Sequence, residues 1–164
     1  MSHAVRVHET GDASVMQWEE VNVADPAAGE VCLRHTAIGL NFIDIYFRAG
    51  TYPSPQLPFV PGLEAAGVIE SIGENVSGFE VGNRVAYASP PLGAYAESRL
   101  MPAGRLVKLP DSIDDRVAAA MMLKGMTAHY LLRRIFKVGP GTTLLLHAAA
   151  GGVGMAAVQL AQLH

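Results

Sequence analysis

The residues best suited to chemistry lie in a turn made only of alanine and glycine, residues 148–152, near the end of the chain. The apolar run 142–146 before it has the length of a strand, and the apolar residues from 153 to 161 suit a buried helix. Strand, tight turn and helix in this order open a dinucleotide-binding βαβ unit. Ala149, Gly151 and Gly154 have the spacing of the G-x-G-x-x-G fingerprint, with alanine in the first place.

This turn predicts a site for a pyrophosphate. Free backbone N–H groups and the positive end of the dipole meet at the start of a helix, and glycine there leaves room for the phosphates. Gly154, one turn into the helix, would let the helix and the strand pack closely. Buried alanine and glycine turns also occur for packing alone, so that explanation stays open beside phosphate binding, which we favour.

The composition restricts the class of protein. The chain has 164 residues, half of them hydrophobic and 16% charged, with a net charge of −3. It should therefore bury a core, and its charge argues against a nucleic-acid or membrane partner. The single cysteine, Cys32, excludes an internal disulfide and a multi-cysteine metal site. With no signal peptide and no apolar stretch of about 18 residues, we expect a cytoplasmic protein.

The first two thirds of the chain predict short strands separated by turns. The strands are predicted at 4–7, 16–21, 31–38, 84–88, 94–100 and 106–109. A helix is predicted over 42–49, with positions 42, 45, 46 and 49 on one apolar face and Gly50 as its stop. The proline-rich stretch 52–58 predicts a loop. This cadence favours an irregular β-barrel.

The character of the chain changes near Pro110, where we place a domain boundary. Ser112 is predicted to cap a helix that Lys124-Gly125-Met126 breaks, and Thr127 to cap a second helix. One βα unit cannot complete a parallel sheet, so we expect the nucleotide-binding part to be incomplete in this chain.

Four motifs, in order along the chain, carry a resemblance to a known family. They are Gly39-Leu40-Asn41-Phe42-Ile43-Asp44, Pro61-Gly62-Leu63-Glu64-Ala65-Ala66-Gly67-Val68-Ile69, Gly93-Ala94-Tyr95-Ala96-Glu97 and His147-Ala148-Ala149-Ala150-Gly151-Gly152-Val153-Gly154. The chain resembles the zinc-independent quinone oxidoreductases (NADPH:quinone reductases, the zeta-crystallin group) of the medium-chain dehydrogenase/reductase superfamily.

The resemblance implies an α+β to α/β fold with two parts. Residues 1–110 would form a GroES-like irregular β-barrel that is the catalytic, substrate-binding domain. Residues 111–164 would form the opening helices and first βα unit of an NADP-binding Rossmann domain, inside which the chain looks truncated. The family also implies a homodimer.

The resemblance implies no metal. Zinc-dependent relatives place a zinc-binding histidine where this chain has Leu63, and they need further cysteines that it lacks. Because a catalytic zinc needs about three N, S or O ligands, zinc chemistry is excluded in practice. Glu64 stands where the zinc-dependent enzymes also have an acidic residue. We favour a structural, hydrogen-bonded carboxylate there over a catalytic base.

The catalytic candidates implied by the family are Asn41, Tyr46 and Tyr52, at a nicotinamide cleft between the domains. The Asn41 amide would meet the carboxamide or a ribose hydroxyl of NADPH, with helix capping as the alternative. Either phenol would orient a quinone carbonyl, with core packing the alternative for Tyr46 and plain surface exposure for Tyr52. The cofactor-binding candidates are Asn41, Phe42, Ile43, Lys124, Thr127, Tyr130, Ala150, Gly151, Gly152, Val153 and Gly154.

These features predict NADPH-dependent reduction of a quinone, because a quinone is already electrophilic and the cofactor carries the chemistry. Two alternatives remain. An α,β-unsaturated carbonyl offers a similar acceptor, so an NADPH-dependent alkenal or enone reductase is the first. A truncated, non-catalytic domain of such an enzyme is the second.

Overall fold

The computed structural model describes residues 1–53 and 56–163. Ser54 and Pro55, in the predicted proline-rich loop, lie outside the described residues. The chain divides into two compact units, unit 1 from Met1 to Ala120 and unit 2 from Met121 to His164. The domain boundary near Pro110 stays a prediction.

Unit 1 is built mainly of short strands. Its strands are β1 (Ser2–Val7), β2 (Met16–Val21), β3 (Glu30–Gly39), β4 (Glu64–Ile72), β5 (Arg84–Ala88), β6 (Ser98–Pro102) and β7 (Val107–Lys108). Helix α1 (Phe42–Arg48) follows β3, and two 3-10 turns occupy Ala13–Val15 and Ala103–Arg105. The predicted strands are confirmed for β1 to β3 and for β5, whereas β6 and β7 differ from their predicted bounds by up to four residues.

The strands of unit 1 form two antiparallel sheets within the described part of the chain. β1 pairs with β2, and a five-stranded sheet has the order β6-β3-β4-β5-β7. The ends of this sheet do not pair with each other, so the barrel is open and irregular. The sheet-rich, irregular β architecture expected from the sequence is thereby confirmed.

The core of unit 1 lies against this sheet. Inward-facing residues of β3, β4, β5 and β6 contribute fully buried side chains, among them Leu33, Ile69, Tyr87 and Met101. Alternate residues of β3 face this core, as the period of a strand requires. The burial of each large side chain stabilises the folded state by about 2 kcal/mol.

Helix α2 (Asp115–His129) begins later and extends further than the sequence predicts. The carboxylate of Asp114 accepts a hydrogen bond from the backbone N–H of Arg116 at 2.8 Å. Asp114 therefore takes the capping position predicted for Ser112, because its carboxylate satisfies one of the free N–H groups of the first turn.

The predicted helix break at Lys124-Gly125-Met126 is wrong. α2 continues through these residues and passes into a π-helical segment, Tyr130–Ile135. A glycine inside a helix costs only about 1 kcal/mol relative to alanine, which the surrounding helix formers offset. Thr127 does not cap a new helix, since its Oγ1 donates to the backbone oxygen of Leu123, one turn earlier, at 2.7 Å.

Unit 2 ends with helix α3 (Gly152–Ala161), which confirms the helix predicted after the glycine turn. Ala157 of α3 packs with Ala128, Leu132 and Val138. The strand predicted at 142–146 does not form, and Leu145 is 87% exposed. A strand is completed by hydrogen bonds to a neighbour, and these residues pair with none in the described part of unit 2. No described helix has the length and hydropathy needed to cross a membrane.

Candidate functional site

Asn41 lies at the start of α1 and is held there by its own backbone. Its conformation is extended, with φ −133° and ψ 151°, and its N–H donates to Oδ2 of Asp44 at 2.9 Å. Asn41 therefore occupies the N-cap position, as the alternative interpretation predicted. The Asp44 carboxylate closes the first turn of α1 as the acidic member of a capping box.

The side chain of Asn41 is fixed by a second carboxylate. Nδ2 of Asn41 donates to Oε2 of Glu64 at 2.7 Å, and Glu64 is 0% exposed. A carboxylate only accepts hydrogen bonds, so the amide nitrogen, not the oxygen, faces Glu64. Gly39 makes room for this arrangement, since a Cβ there would lie 2.5 Å from Oε2 of Glu64. Glu64 is thus the buried, hydrogen-bonded carboxylate that we expected.

Tyr95, which is distant from α1 in the sequence, contacts the same group of residues. Its hydroxyl donates to Oδ2 of Asp44 at 3.0 Å, so this oxygen accepts from both Tyr95 and the Asn41 backbone. Asp44 is only 3% exposed. Asn41, Asp44, Glu64 and Tyr95 form what we call the α1 cluster.

The two candidate phenols lie together at the end of α1. The rings of Tyr46 and Tyr52 are 5.2 Å apart between centroids, and Phe47 packs edge-on against Tyr52 at 5.7 Å. The backbone N–H of Tyr52 donates to the oxygen of Tyr46 at 3.1 Å. The structure therefore brings these two predicted residues together.

The apolar face predicted for α1 is exposed, with Phe42 at 76%, Ile45 at 37% and Tyr46 at 39%. The buried residue of the helix is Asp44 instead. Hydrogen bonds compensate the burial of a carboxylate, so the polar side of this short helix faces the protein. The core-packing explanation of Tyr46 is therefore wrong.

A separate polar group is centred on His35, a half-buried residue of β3. Nδ1 of His35 lies 2.6 Å from the Ala96 oxygen, and Nε2 lies 2.9 Å from the Tyr87 hydroxyl. A carbonyl only accepts, so Nδ1 carries the proton and Nε2 accepts from Tyr87. Burial lowers the pKa of His35 to about 4; the bond to Ala96 opposes this shift and the charge of Arg99 adds to it.

We predict that unfolding becomes easier as the pH falls below about 6.5. Below pH 6.5 the unfolded chain takes up a proton at His35 that the folded chain binds only near pH 4. The contribution of neutral His35 to the free energy of unfolding is therefore complete above pH 6.5 and is lost as the pH falls to about 4. The loss reaches about 3 kcal/mol at most. Urea unfolding between pH 4 and 8 measures it. His35→Gln should flatten this dependence, whereas His129→Gln, an exposed control, should leave it unchanged.

The glycine turn of unit 2 has the close approaches expected of it. Gly151 caps α3 with φ −77° and ψ 166°. A Cβ at Gly154 would overlap the Ala148 oxygen and lie 2.6 Å from Cα of Ala149. Gly154 therefore lets the helix pack directly against the turn, and not against a strand as predicted, since residues 142–146 form none. Ala148 itself has a positive φ of 53°.

Lys124 is the cofactor candidate that lies beside this turn. A Cβ at Gly152 would be 2.7 Å from Cδ of Lys124, so the aliphatic stem of the lysine crosses the start of α3. Tyr130 is 54% exposed. In the turn, Ala150 is exposed and Val153 half-buried. The cofactor role of these residues, of Thr127, and of Phe42 and Ile43 on α1, stays a prediction.

The side chain of the residue before Glu64 has no atom that could bind a metal. Leu63, in the place of the zinc-binding histidine, is a buried apolar side chain. Across residues 1–53 and 56–163, no three His, Cys, Asp or Glu side chains are grouped so that they could hold a metal ion.

Comparison with known protein families identifies the family to which this fold belongs. Residues 27–111 match the model of the alcohol dehydrogenase GroES-like domain, which is more than half of the chain. The chain belongs to this GroES-like family. The matched segment contains β3 to β7 and α1, and with them the whole α1 cluster.

Relatives of this GroES-like chain are quinone oxidoreductases, as the motifs predicted. The quinone oxidoreductase of Pseudomonas aeruginosa is 48% identical over 99% of this chain and 50% of its own length. The 2-haloacrylate reductase of a Burkholderia species is 50% identical over 94% of this chain and 48% of its own. The structure of Escherichia coli quinone oxidoreductase complexed with NADPH matches with a TM-score of 0.95 and 43% identity, over 98% of this chain and 49% of that one. The chain spans about half the length of these relatives.

Sequence reasoning missed Tyr95 and the partner of Glu64. Tyr95 stands in one of the four motifs, yet no role was assigned to it. Its contact with Asp44 joins residues 51 positions apart. A lone tyrosine inside a Gly-Ala-Tyr-Ala-Glu motif is a signal for a ring that needs small neighbours, but the motif does not name its partner.

Proposed function

We propose that the whole protein reduces quinones with NADPH as the hydride donor and without zinc. The observation that carries the proposal is the likeness to E. coli quinone oxidoreductase complexed with NADPH, which extends over 98% of this chain. A cytoplasmic location and a homodimer belong to the same proposal, as the sequence-based expectations stated them.

The residues present fit the cofactor at two places. Gly151, Gly152 and Gly154 carry no side chains of their own at the start of α3, so its backbone N–H groups can bind the pyrophosphate beside Lys124. Asn41 offers an amide whose orientation Glu64 fixes, for the carboxamide or a ribose hydroxyl. NADPH, when bound, supplies the hydride that reduces the acceptor.

The phenols of Tyr46 and Tyr52 orient the acceptor. Each hydroxyl can donate to a quinone carbonyl, and both side chains are about 40% exposed, so a proton given to the product oxygen is regained from solvent. A quinone needs no Lewis acid, whereas alcohol oxidation needs a stabilised alkoxide. The leucine in the zinc-ligand position supports the quinone.

A second candidate is reduction of an enone. The observation that favours it is the 50% identity to 2-haloacrylate reductase, whose name states an α,β-unsaturated acceptor. The chemistry is related, because hydride adds to an electron-poor carbon conjugated with a carbonyl. The third reading, a non-catalytic domain, is tested by NADPH calorimetry: no detectable binding would support it.

The test compares acceptors and phenol variants. NADPH oxidation is followed with 1,2-naphthoquinone and with an alkenal, and a strong preference for the alkenal would reject the quinone proposal. Tyr46→Phe combined with Tyr52→Phe should lower kcat/KM for the quinone about 10- to 100-fold. The melting temperature should hardly change, because both tyrosines are about 40% exposed. Tyr87→Phe, a buried control outside the site, should lower stability without a comparable loss of kcat/KM.

A further inference from the structure

We propose that Tyr95 is a positioning residue for the reaction, acting through Asp44 on Asn41 and the start of α1. Tyr95 is not among the catalytic or cofactor-binding candidates named above. The proposal rests on the proposed function only where activity is measured. It is carried by geometry alone: two hydrogen bonds that meet on one oxygen, and a tyrosine whose backbone is bound on both sides and whose ring lies against Gly62.

The Tyr95 hydroxyl and the Asn41 N–H share Oδ2 of Asp44, at 3.0 and 2.9 Å. The carboxylate therefore has its orientation set by two donors. Removing the hydroxyl takes away one of the two donors on Oδ2 of Asp44, which weakens the constraint on this carboxylate and on the Asn41 backbone bound to it. Asn41 would then keep its side-chain bond to Glu64 but lose the fixed backbone position from which that side chain extends.

Tyr95 is itself placed by rigid parts of unit 1. Its N–H donates to the Pro61 oxygen at 2.9 Å, and its oxygen accepts from the N–H of Val5 in β1 at 2.8 Å. The ring lies on Gly62, where φ is +96° and a Cβ would be 2.5 Å from Cδ1 of the ring. Gly62 thus serves two needs at once, a left-handed backbone and room for the ring.

The segment from Gly62 to Glu64 therefore constrains Asn41 in two ways. Gly62 supports Tyr95, which acts through Asp44 on the backbone of Asn41, and Glu64, two residues later, binds the side chain. Burial raises the pKa of the Tyr95 phenol, and the charge of Asp44 and the hydrogen bond to it raise that pKa further, while Arg48 opposes them. The phenol remains a donor throughout the physiological range. Fixing Asn41 at both ends is what a group that must meet a cofactor within a fraction of an ångström requires.

The test uses Tyr95→Phe, with Tyr87→Phe as the matched control. Both variants remove one hydroxyl from a hydrogen-bonded tyrosine of unit 1. The Tyr95 hydroxyl binds Asp44 within the α1 cluster, whereas the Tyr87 hydroxyl binds His35. The first readout is amide hydrogen exchange of the Asn41 N–H, measured by NMR without cofactor. Tyr95→Phe should speed it about tenfold or more, and Tyr87→Phe should leave it unchanged. Equal rates in the two variants would overturn the proposal.

The second readout is kinetic. Tyr95→Phe should lower kcat/KM for NADPH-dependent naphthoquinone reduction about tenfold, against less than about twofold for Tyr87→Phe. In an Asp44→Ala background, Tyr95→Phe should cost nothing more, since the hydroxyl acts through that carboxylate. An additive loss would overturn the proposal. An inactive wild-type protein would instead reject the proposed function, and the exchange result would still decide the role of Tyr95.

Discussion

Gly154→Val is expected to abolish NADPH binding by the whole protein, with at least about a 100-fold rise in Kd. The valine Cβ would overlap the Ala148 oxygen and approach Cα of Ala149 to 2.6 Å. Neither atom belongs to a flexible side chain, so helix α3 must move away from the turn. Its N-terminal N–H groups then no longer converge on one phosphate site. Calorimetric titration with NADPH measures the loss, and circular dichroism checks that the helices remain.

Two other glycines of unit 2 calibrate this result. A Cβ at Gly151 would lie 3.2 Å from the Ala148 oxygen, so Gly151→Ala should weaken binding less, by under about tenfold. A Cβ at Gly139 meets no atom within 4 Å, so Gly139→Ala should bind NADPH as the wild type does. Wild-type affinity in Gly154→Val would show that the turn does not hold the cofactor.

Glu64→Leu is expected to destabilise the fold by about 3 kcal/mol, because a buried amide donor loses its acceptor. Glu64 is fully buried, and its Oε2 lies 2.7 Å from Nδ2 of Asn41. Leucine has a similar volume, so the effect reports the lost hydrogen bond more than a cavity. Glu64→Gln keeps an acceptor in the same place and should cost only about 1 kcal/mol. Urea unfolding measures both values.

The control for Glu64 is on the same strand. Glu70 of β4 pairs with Arg34 at 2.8 Å, but its side chain is 44% exposed. Glu70→Leu should therefore change the free energy of unfolding by less than about 1 kcal/mol. A Glu64→Leu variant as stable as Glu70→Leu would mean that the Asn41–Glu64 bond contributes nothing to the fold.

Most of the fold follows from local patterns. Alternating apolar residues predicted β1, β2, β3 and β5, and the small residues before Val153 predicted a turn into a helix. These features depend on neighbours within a few positions, which is why they are readable without coordinates. Local patterns failed at Gly125, where the flanking helix formers outweighed one unfavourable residue.

The candidate site was only half predictable. Asn41, Tyr46 and Tyr52 were named in advance because the family resemblance implied them. Tyr95 was not named, and the face of α1 that appeared apolar turned out to be exposed. Which side of a seven-residue helix is buried depends on hydrogen-bond partners from distant strands, and no periodicity within the helix contains that information.

By itself, the sequence determined the strands β1, β2, β3 and β5, the helices α1 and α3, the glycine turn, the family and the place of Leu63 where zinc-dependent relatives have a histidine. The tertiary structure alone decided what Asn41, Asp44 and Glu64 contact, because Glu64 and Tyr95 reach α1 from 23 and 51 residues away. It also decided that residues 142–146 are not a strand, since the hydrogen bonds that define a strand come from a neighbour and not from its own side chains.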